Sequence, residues 1–177
     1  MEQQKLTLDN VTLYCVDCVA HEGAIISMNK TCENMEFARK IYFGDRKPKN
    51  WDESIEYVEI QKLNNLVEYS RFMLMDVPAH INTDFCLAVQ EDGWVINTNN
   101  WRDEFLQYDY IGAPWTTTAQ GKDDSWRVGN GGVSLRSKKL MDLIVKRDLS
   151  GWTGHEDTTI AHALRPYLEK NGCTLHH

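Results

Sequence analysis

The apolar run Phe85-Cys86-Leu87-Ala88-Val89 stops abruptly at Gln90-Glu91-Asp92-Gly93. A half-buried strand alternates apolar and polar side chains, whereas one that is apolar throughout has to be covered on both faces. The run therefore predicts the central strand of a sheet packed between helices, and the segments around it agree. Residues 11–16, β-branched and apolar, predict a first strand; 24–34 a helix; 37–43 a second strand closed by Gly44-Asp45; and 55–60 a short third strand. Leu63, Leu66, Val67, Phe72, Leu74 and Met75 recur at helical spacing over 63–76, with Pro78 just beyond. A short apolar piece follows at 108–114, then a loop-like composition at 116–125, a glycine loop at 129–132 and a helix over 137–147. The last helix begins near Glu156, and Pro166 must kink or split it. Alternation of this kind, without repeat or linker, predicts an α/β fold: one domain over residues 1–177, with a mainly parallel central sheet flanked by helices.

A chain of 177 residues can bury a core without disulfide or metal staples. Its net charge of -7 argues against a broad nucleic-acid or anionic-membrane face, which needs clustered Lys and Arg. Met1-Glu2-Gln3-Gln4-Lys5 has no apolar signal-peptide core, and no apolar run approaches the roughly 18 residues of a membrane helix, so a cytoplasmic protein without a membrane segment is expected. Cys15-Val16-Asp17-Cys18 stands alone. Side chains three apart on a strand point to opposite faces, and no second pair completes a zinc tetrahedron, so the five cysteines are expected as buried, reduced thiols.

In open α/β sheets ligands bind beyond the carboxyl ends of the strands, where Glu91 and Asp92 fall. Carboxylate oxygens there suit magnesium or manganese bridging a diphosphate. On an extended backbone the two acids face opposite ways, and the turn-making Gly93 favours Asp92 as the ligand; a solvated turn is the plainer alternative. Gly129-Asn130-Gly131-Gly132, with three glycines in four residues, requires close backbone approach or positive φ. It matches neither the Walker loop nor the dinucleotide fingerprint. Ser134, Arg136 and Ser137 follow it, within reach of phosphate or sugar hydroxyls. Gly154-His155-Glu156-Asp157 opens a helix, where acids are favoured by the dipole alone but also make a rigid mount for a general base. Trp94, Trp101, Trp115, Trp126 and Trp152 surround these motifs; indoles fill cores or stack on sugars, and Trp152 and Trp115 are the candidate acceptor platform.

Gln90-Glu91-Asp92-Gly93, Tyr108-Asp109-Tyr110-Ile111-Gly112-Ala113-Pro114-Trp115 and Gly129-Asn130-Gly131-Gly132-Val133-Ser134-Leu135-Arg136 together resemble the DUF5672 family of glycosyltransferase-like proteins. The resemblance runs from near Val11 to about Gly172, with Val133 standing where the family usually has an aromatic residue. It implies a GT-A-like (nucleotide-diphospho-sugar transferase) fold and an inverting glycosyltransferase, which moves a sugar from a nucleotide-sugar donor to a hydroxyl acceptor with a divalent metal, manganese or magnesium. The donor would lie against Asp17, Asp92, Gly131 and Gly132, with Asp92 holding the metal and a C-terminal histidine, His177 or its neighbour His176, as a further ligand. Asp157 would be the general base, and Glu156 beside it would bind the acceptor with Trp152 and Trp115. Two alternatives stay open: an inactive nucleotide-sugar-binding homologue, and a viral-type transferase acting on modified DNA bases, for which nucleic acid replaces a glycan as acceptor. A nucleotidyltransferase would need a Gly-x-Gly-x-Arg loop after the first strand, which is absent.

Overall fold

The computed structural model describes residues 5–117 and 122–176. Its strands are β1 (Leu6–Val16), β2 (Met35–Gly44), β3 (Glu56–Glu59), β4 (Phe85–Ala88), β5 (Tyr110–Ala113), β6 (Asn130–Ser137) and β7 (Leu175–His176). Helices α1 (His21–Cys32), α2 (Leu66–Met75), α3 (Lys138–Val145), α4 (Glu156–Thr158) and α5 (Arg165–Lys170) connect them. The strands form one seven-stranded sheet in the order β3-β2-β1-β4-β6-β5-β7. All neighbours are parallel except β6, which runs antiparallel to both β4 and β5.

The central strands are buried on both sides, as the apolar run requires. Tyr14 and Val16 of β1, Ile41 and Phe43 of β2, and Cys86 and Ala88 of β4 face one cluster, shared with Met73 and Leu74 of α2 and Leu140, Met141 and Ile144 of α3. Leu13, Cys15, Tyr42 and Leu87 face the other, where Ala24, Ile25 and Met28 of α1 cover them. The period-two alternation therefore sorts side chains between two cores rather than between core and water.

Element ends follow local chemistry. The Asn65 side chain accepts the Glu68 N–H and starts α2, and the Ser137 hydroxyl does the same for Leu140 in α3. The final helix does split. Pro166 has no N–H to donate and its ring collides with the carbonyl four residues back, so the helix passes through a π segment, Thr159–Ala163, breaks at Leu164 and restarts as α5.

Three expectations are corrected. The glycine loop is not a loop: Asn130, Gly131 and Gly132 are the first residues of β6. The backbone at Gln90–Gly93 is not extended but a tight turn, closed by the Gly93 N–H on the Gln90 carbonyl (3.1 Å). Ser134, Arg136 and Ser137 do not reach outward, being 1%, 1% and 4% exposed. Of the loop expected at 116–125, residues 118–121 lie outside the described residues. Its stems are joined by the Trp115 N–H on the Arg127 carbonyl and by Arg127 Nε on the Trp115 carbonyl, both at 2.7 Å. The five cysteines are free thiols, four of them buried, and burial pushes the thiols of Cys15 and Cys18 up, which keeps them protonated. Among the described residues no helix is long and apolar enough to cross a membrane.

Asp109 ties the far edge together. One carboxylate oxygen accepts from the Ser137 hydroxyl (2.6 Å), and the other accepts from the Thr174 N–H (2.9 Å) and faces the Lys139 ammonium (3.5 Å). The most distinctive segment of the sequence thus carries a structural acid, linking β5, the start of α3 and the segment leading into β7. We expect Asp109→Ala to lower unfolding free energy by on the order of 3 kcal/mol in urea denaturation, because buried partners lose a charged acceptor. Hydrogen exchange should accelerate first at Leu175 and His176; a change within experimental error at both would contradict the tether.

Candidate active site

Because β6 is reversed, its first residues rather than its last reach the carboxyl edge of its neighbours. Asp17 follows β1, Asp45 follows β2, the Gln90–Gly93 turn follows β4 and Trp115 follows β5, so all converge with Asn130–Gly132 on one rim. Sequence-distant motifs meet there.

The acidic turn is held from two sides. Ser27 of α1 donates to the Gly93 carbonyl (2.5 Å), and the Gln90 amide donates to the Tyr69 hydroxyl on α2 (2.8 Å). Gly93 lies against Val133, since a Cβ on it would come within 2.9 Å of that side chain. Glu91 and Asp92 occupy the two central positions of the turn, both exposed, and neither carboxylate has a protein partner among the described residues. Glu91, not Asp92, lines the adjoining cleft, a cavity of about 400 Å³ between the end of β1 and the start of α2. Val16, Asp17, Leu63, Leu66 and Tyr69 form its walls.

Asp17 is only 8% exposed, and its Oδ1 accepts the N–H groups of Val19 and Ala20, each at 2.6 Å. That oxygen shapes the entry to α1 and is not free for a ligand. Nearby, His21 Nε2 and Asp45 Oδ1 pair at 2.7 Å, which holds the Asp45 carboxyl below its usual range against the effect of its partial burial.

On the other side of the β6 start, the helix-opening acids separate in role. Asp157 is half-buried; its Oδ1 accepts the Thr158 N–H (2.6 Å) and its Oδ2 takes a long hydrogen bond from the Gly131 N–H (3.4 Å). Glu156 is 5% exposed and paired with Arg136, its Oε1 lying 3.3 Å from Nη2. It does not present to an acceptor; it is the counter-ion of a buried cation. Gly131 is glycine for this reason, because a Cβ there would sit 2.2 Å from Glu156 Oε1. At Gly129 the demand is different, a φ of 151° with Trp115 and Ala161 closing in on the Cα. Gly132 sits over the acidic turn, a Cβ on it lying 3.1 Å from Gln90 Oε1.

Trp115 and Trp152 flank the helical segment that carries Asp157. Trp115 packs edge-on against His162 (5.0 Å), and Trp152, 43% exposed, donates its indole N–H to Thr159 (2.7 Å). Among the described residues no three His, Cys, Asp or Glu side chains group to hold a metal ion. His177 lies outside the described residues; β7, which precedes it, runs parallel to β5 toward the same rim. The sequence alone did not single out Tyr69, Leu63 and Leu66 as cleft walls. Leu63 and Leu66 were visible only as part of a helical spacing, which does not say which end of the helix borders a cleft, and Tyr69 gave no signal.

Residues 53–170 match the family described as "Protein of unknown function (DUF5672)". No curated protein matches the chain. Among solved structures, a glycosyltransferase involved in the glycosylation of the major capsid of PBCV-1 aligns over 94% of this chain and 81% of its own, with a TM-score of 0.51 at 13% identity. The glycosyltransferase GlyE of Streptococcus pneumoniae TIGR4 aligns over 92% of this chain with a TM-score of 0.48 at 13% identity. The mannosyltransferase PcManGT of Pyrobaculum calidifontis, solved with GDP-Man and Mn2+, aligns over 75% with a TM-score of 0.46 at 6% identity. This chain spans only 43% of GlyE and 46% of PcManGT. The fold is a GT-A-like α/β sheet.

The two glycines of the β6 start should differ in tolerance. Gly131→Ala drives a methyl into the buried ion pair and should cost roughly 1–3 kcal/mol, the usual range for overpacking. Gly132→Ala, facing the tips of side chains, should cost clearly less. Thermal denaturation of the two variants checks this, and equal losses would mean that Glu156 yields freely.

Proposed function

The chain belongs to the DUF5672 family, and we propose that it is a glycosyltransferase moving a sugar from a nucleotide-sugar donor to an acceptor hydroxyl with inversion. One observation carries this: the Asp157 carboxylate, seated on the Gly131 amide, shares a rim with the carboxylates of the Gln90–Gly93 turn, which have no partner among the described residues, beside a cleft of about 400 Å³. A contact spanning 26 residues to another strand is more than a helix-dipole acid requires.

In this proposal the nucleoside occupies the cleft against Val16, Leu63, Leu66 and Tyr69, with Asp17 shaping its floor through the α1 entry. The diphosphate lies over the acidic turn. A magnesium- or manganese-type cation takes one or two carboxylates together with substrate phosphates and water, so Asp92 and Glu91 fit it without a third side chain. When bound, it would supply positive charge to the leaving diphosphate. Asp157 takes the proton of the acceptor hydroxyl, whose oxygen bonds to the anomeric carbon as the bond to the diphosphate breaks on the opposite face. Trp152 and Trp115 border the acceptor side. Glycan, protein or other hydroxyl compounds fit this chemistry.

Two substitutions separate the parts. Asp92→Asn should abolish manganese-dependent binding of UDP or GDP, read by calorimetry, while circular dichroism stays unchanged; retained affinity would remove Asp92 from the metal's ligands and leave Glu91 alone in that role. Asp157→Asn should keep nucleotide affinity but lose about 10²–10⁴ in turnover of the nucleotide-sugar that the wild type consumes, the usual effect of removing a general base. Near-normal turnover by Asp157→Asn would reduce that acid to a helix cap, and a wild type inert toward every nucleotide-sugar would leave a binding homologue.

A further inference from the structure

Arg136 is the largest of the fully buried side chains, and nothing in the donor cleft or at the acidic turn uses it. It lies on β6, three positions after the strand passes Val133 at the rim. Its contacts form a closed circuit. Arg136 Nε donates to the Ser134 hydroxyl (3.0 Å), and that hydroxyl donates to the Gly131 carbonyl (3.2 Å). Arg136 Nη2 donates to Glu156 Oε1 (3.3 Å), the next residue is Asp157, and Asp157 Oδ2 accepts the Gly131 N–H (3.4 Å). Both ends of the Gly131 peptide and both acids of α4 are therefore linked through one guanidinium. Burial works against the cation, but the Glu156 carboxylate opposite it favours the charged form, and its pKa is held up.

A buried ion pair is weak evidence for stability, because apolar residues of similar size often serve as well. Its planar donors do something that apolar residues cannot, which is to set two acceptors at fixed directions. We propose that Arg136 is the positioning residue of this site: through Ser134 and Glu156 it fixes the start of β6 against the start of α4, so that Asp157 stands on the Gly131 amide. The proposal deepens the glycosyl-transfer reading, on which the role of Asp157 rests, but the positioning itself can be observed without any substrate.

The test is the paired variant Arg136→Met with Glu156→Leu, beside Arg136→Lys. The paired variant removes both charges together and leaves no orphaned ion. Three readouts are taken: the thermal melt, the Gly131 amide resonance with the carbon-13 titration of the Asp157 carboxyl, and UDP and GDP binding with nucleoside diphosphate release from a panel of UDP- and GDP-hexoses. We expect a cooperative melt and unchanged nucleotide affinity, together with a displaced Gly131 resonance and a shifted Asp157 titration. Turnover should fall about 10²-fold, the scale of an ångström-sized misplacement. Arg136→Lys keeps a charge but cannot fork to Ser134 and Glu156 at once, so it should move the same resonance and lie between the two in turnover. A Gly131 resonance and an Asp157 titration indistinguishable from wild type, in whichever of the two variants folds, would overturn the proposal. If the wild type consumes none of the sugars, the glycosyltransferase assignment fails while the resonance arm still decides the positioning.

Discussion

A guanidinium cut off from water must be answered on every side, and this requirement organises the middle of the molecule. Arg136 is 1% exposed, and what surrounds it is matched to it. Ser134 is small and supplies a hydroxyl, the ring of Tyr110 lies 5.7 Å away, and Glu156 brings the opposite charge from a separate element. Gly131 has no side chain because the carboxylate of Glu156 fills that space. Desolvating either ion alone would cost several kcal/mol, so strand and helix have to arrive together. The start of α4 is docked on β6 by charge, and the π segment and the break before Pro166 adapt the rest of that helix to a position chosen elsewhere.

The single reversed strand then gives the arrangement its use. In a wholly parallel sheet the beginning of β6 would lie at the opposite edge from the acidic turn. Reversal brings Gly131 and Gly132 between the end of β4 and the start of α4, with Gln90 on one side and Asp157 on the other. The turn is braced by Ser27 of α1 and Tyr69 of α2, helices from opposite faces of the sheet. Side chains mounted on such braced junctions hold their geometry better than those on free loops. The exposed acids of the turn have no partner among the described residues, while those deeper in the protein, Asp17, Asp109 and Glu156, are each engaged by protein donors. Partition by burial separates acids that hold protein elements together from acids left open to solvent.

How much of this was legible depends on which signals are local. The double-sided burial of β4 followed from five apolar residues in a row, and the split at Pro166 from the missing N–H. The helix expected from 137 starts at its Ser137 cap, whereas the one expected from 63 starts only after the Asn65 cap. The β6 strand was not legible, because its inward positions carry Ser134 and Arg136, and a polar alternation following three glycines reads as a surface loop. For the same reason Arg136 reads as a phosphate contact and Glu156 as an acceptor contact, when each is the partner of the other.

The sequence by itself determined the strands and helices ahead of the glycine segment, the α/β class, the acidic turn at the carboxyl end of a central strand and the family to which the chain belongs. Those properties depend on hydrophobic period, on turn chemistry and on motifs read within a few residues. Only the tertiary structure decided the direction of β6, which of the adjacent acids Glu156 and Asp157 is buried, and why Gly131 carries no side chain. Each of these turns on what lies across the sheet from a residue rather than beside it in the chain. The free energy of a buried charge is set by its partner, and Arg136 and Glu156 stand 20 residues apart.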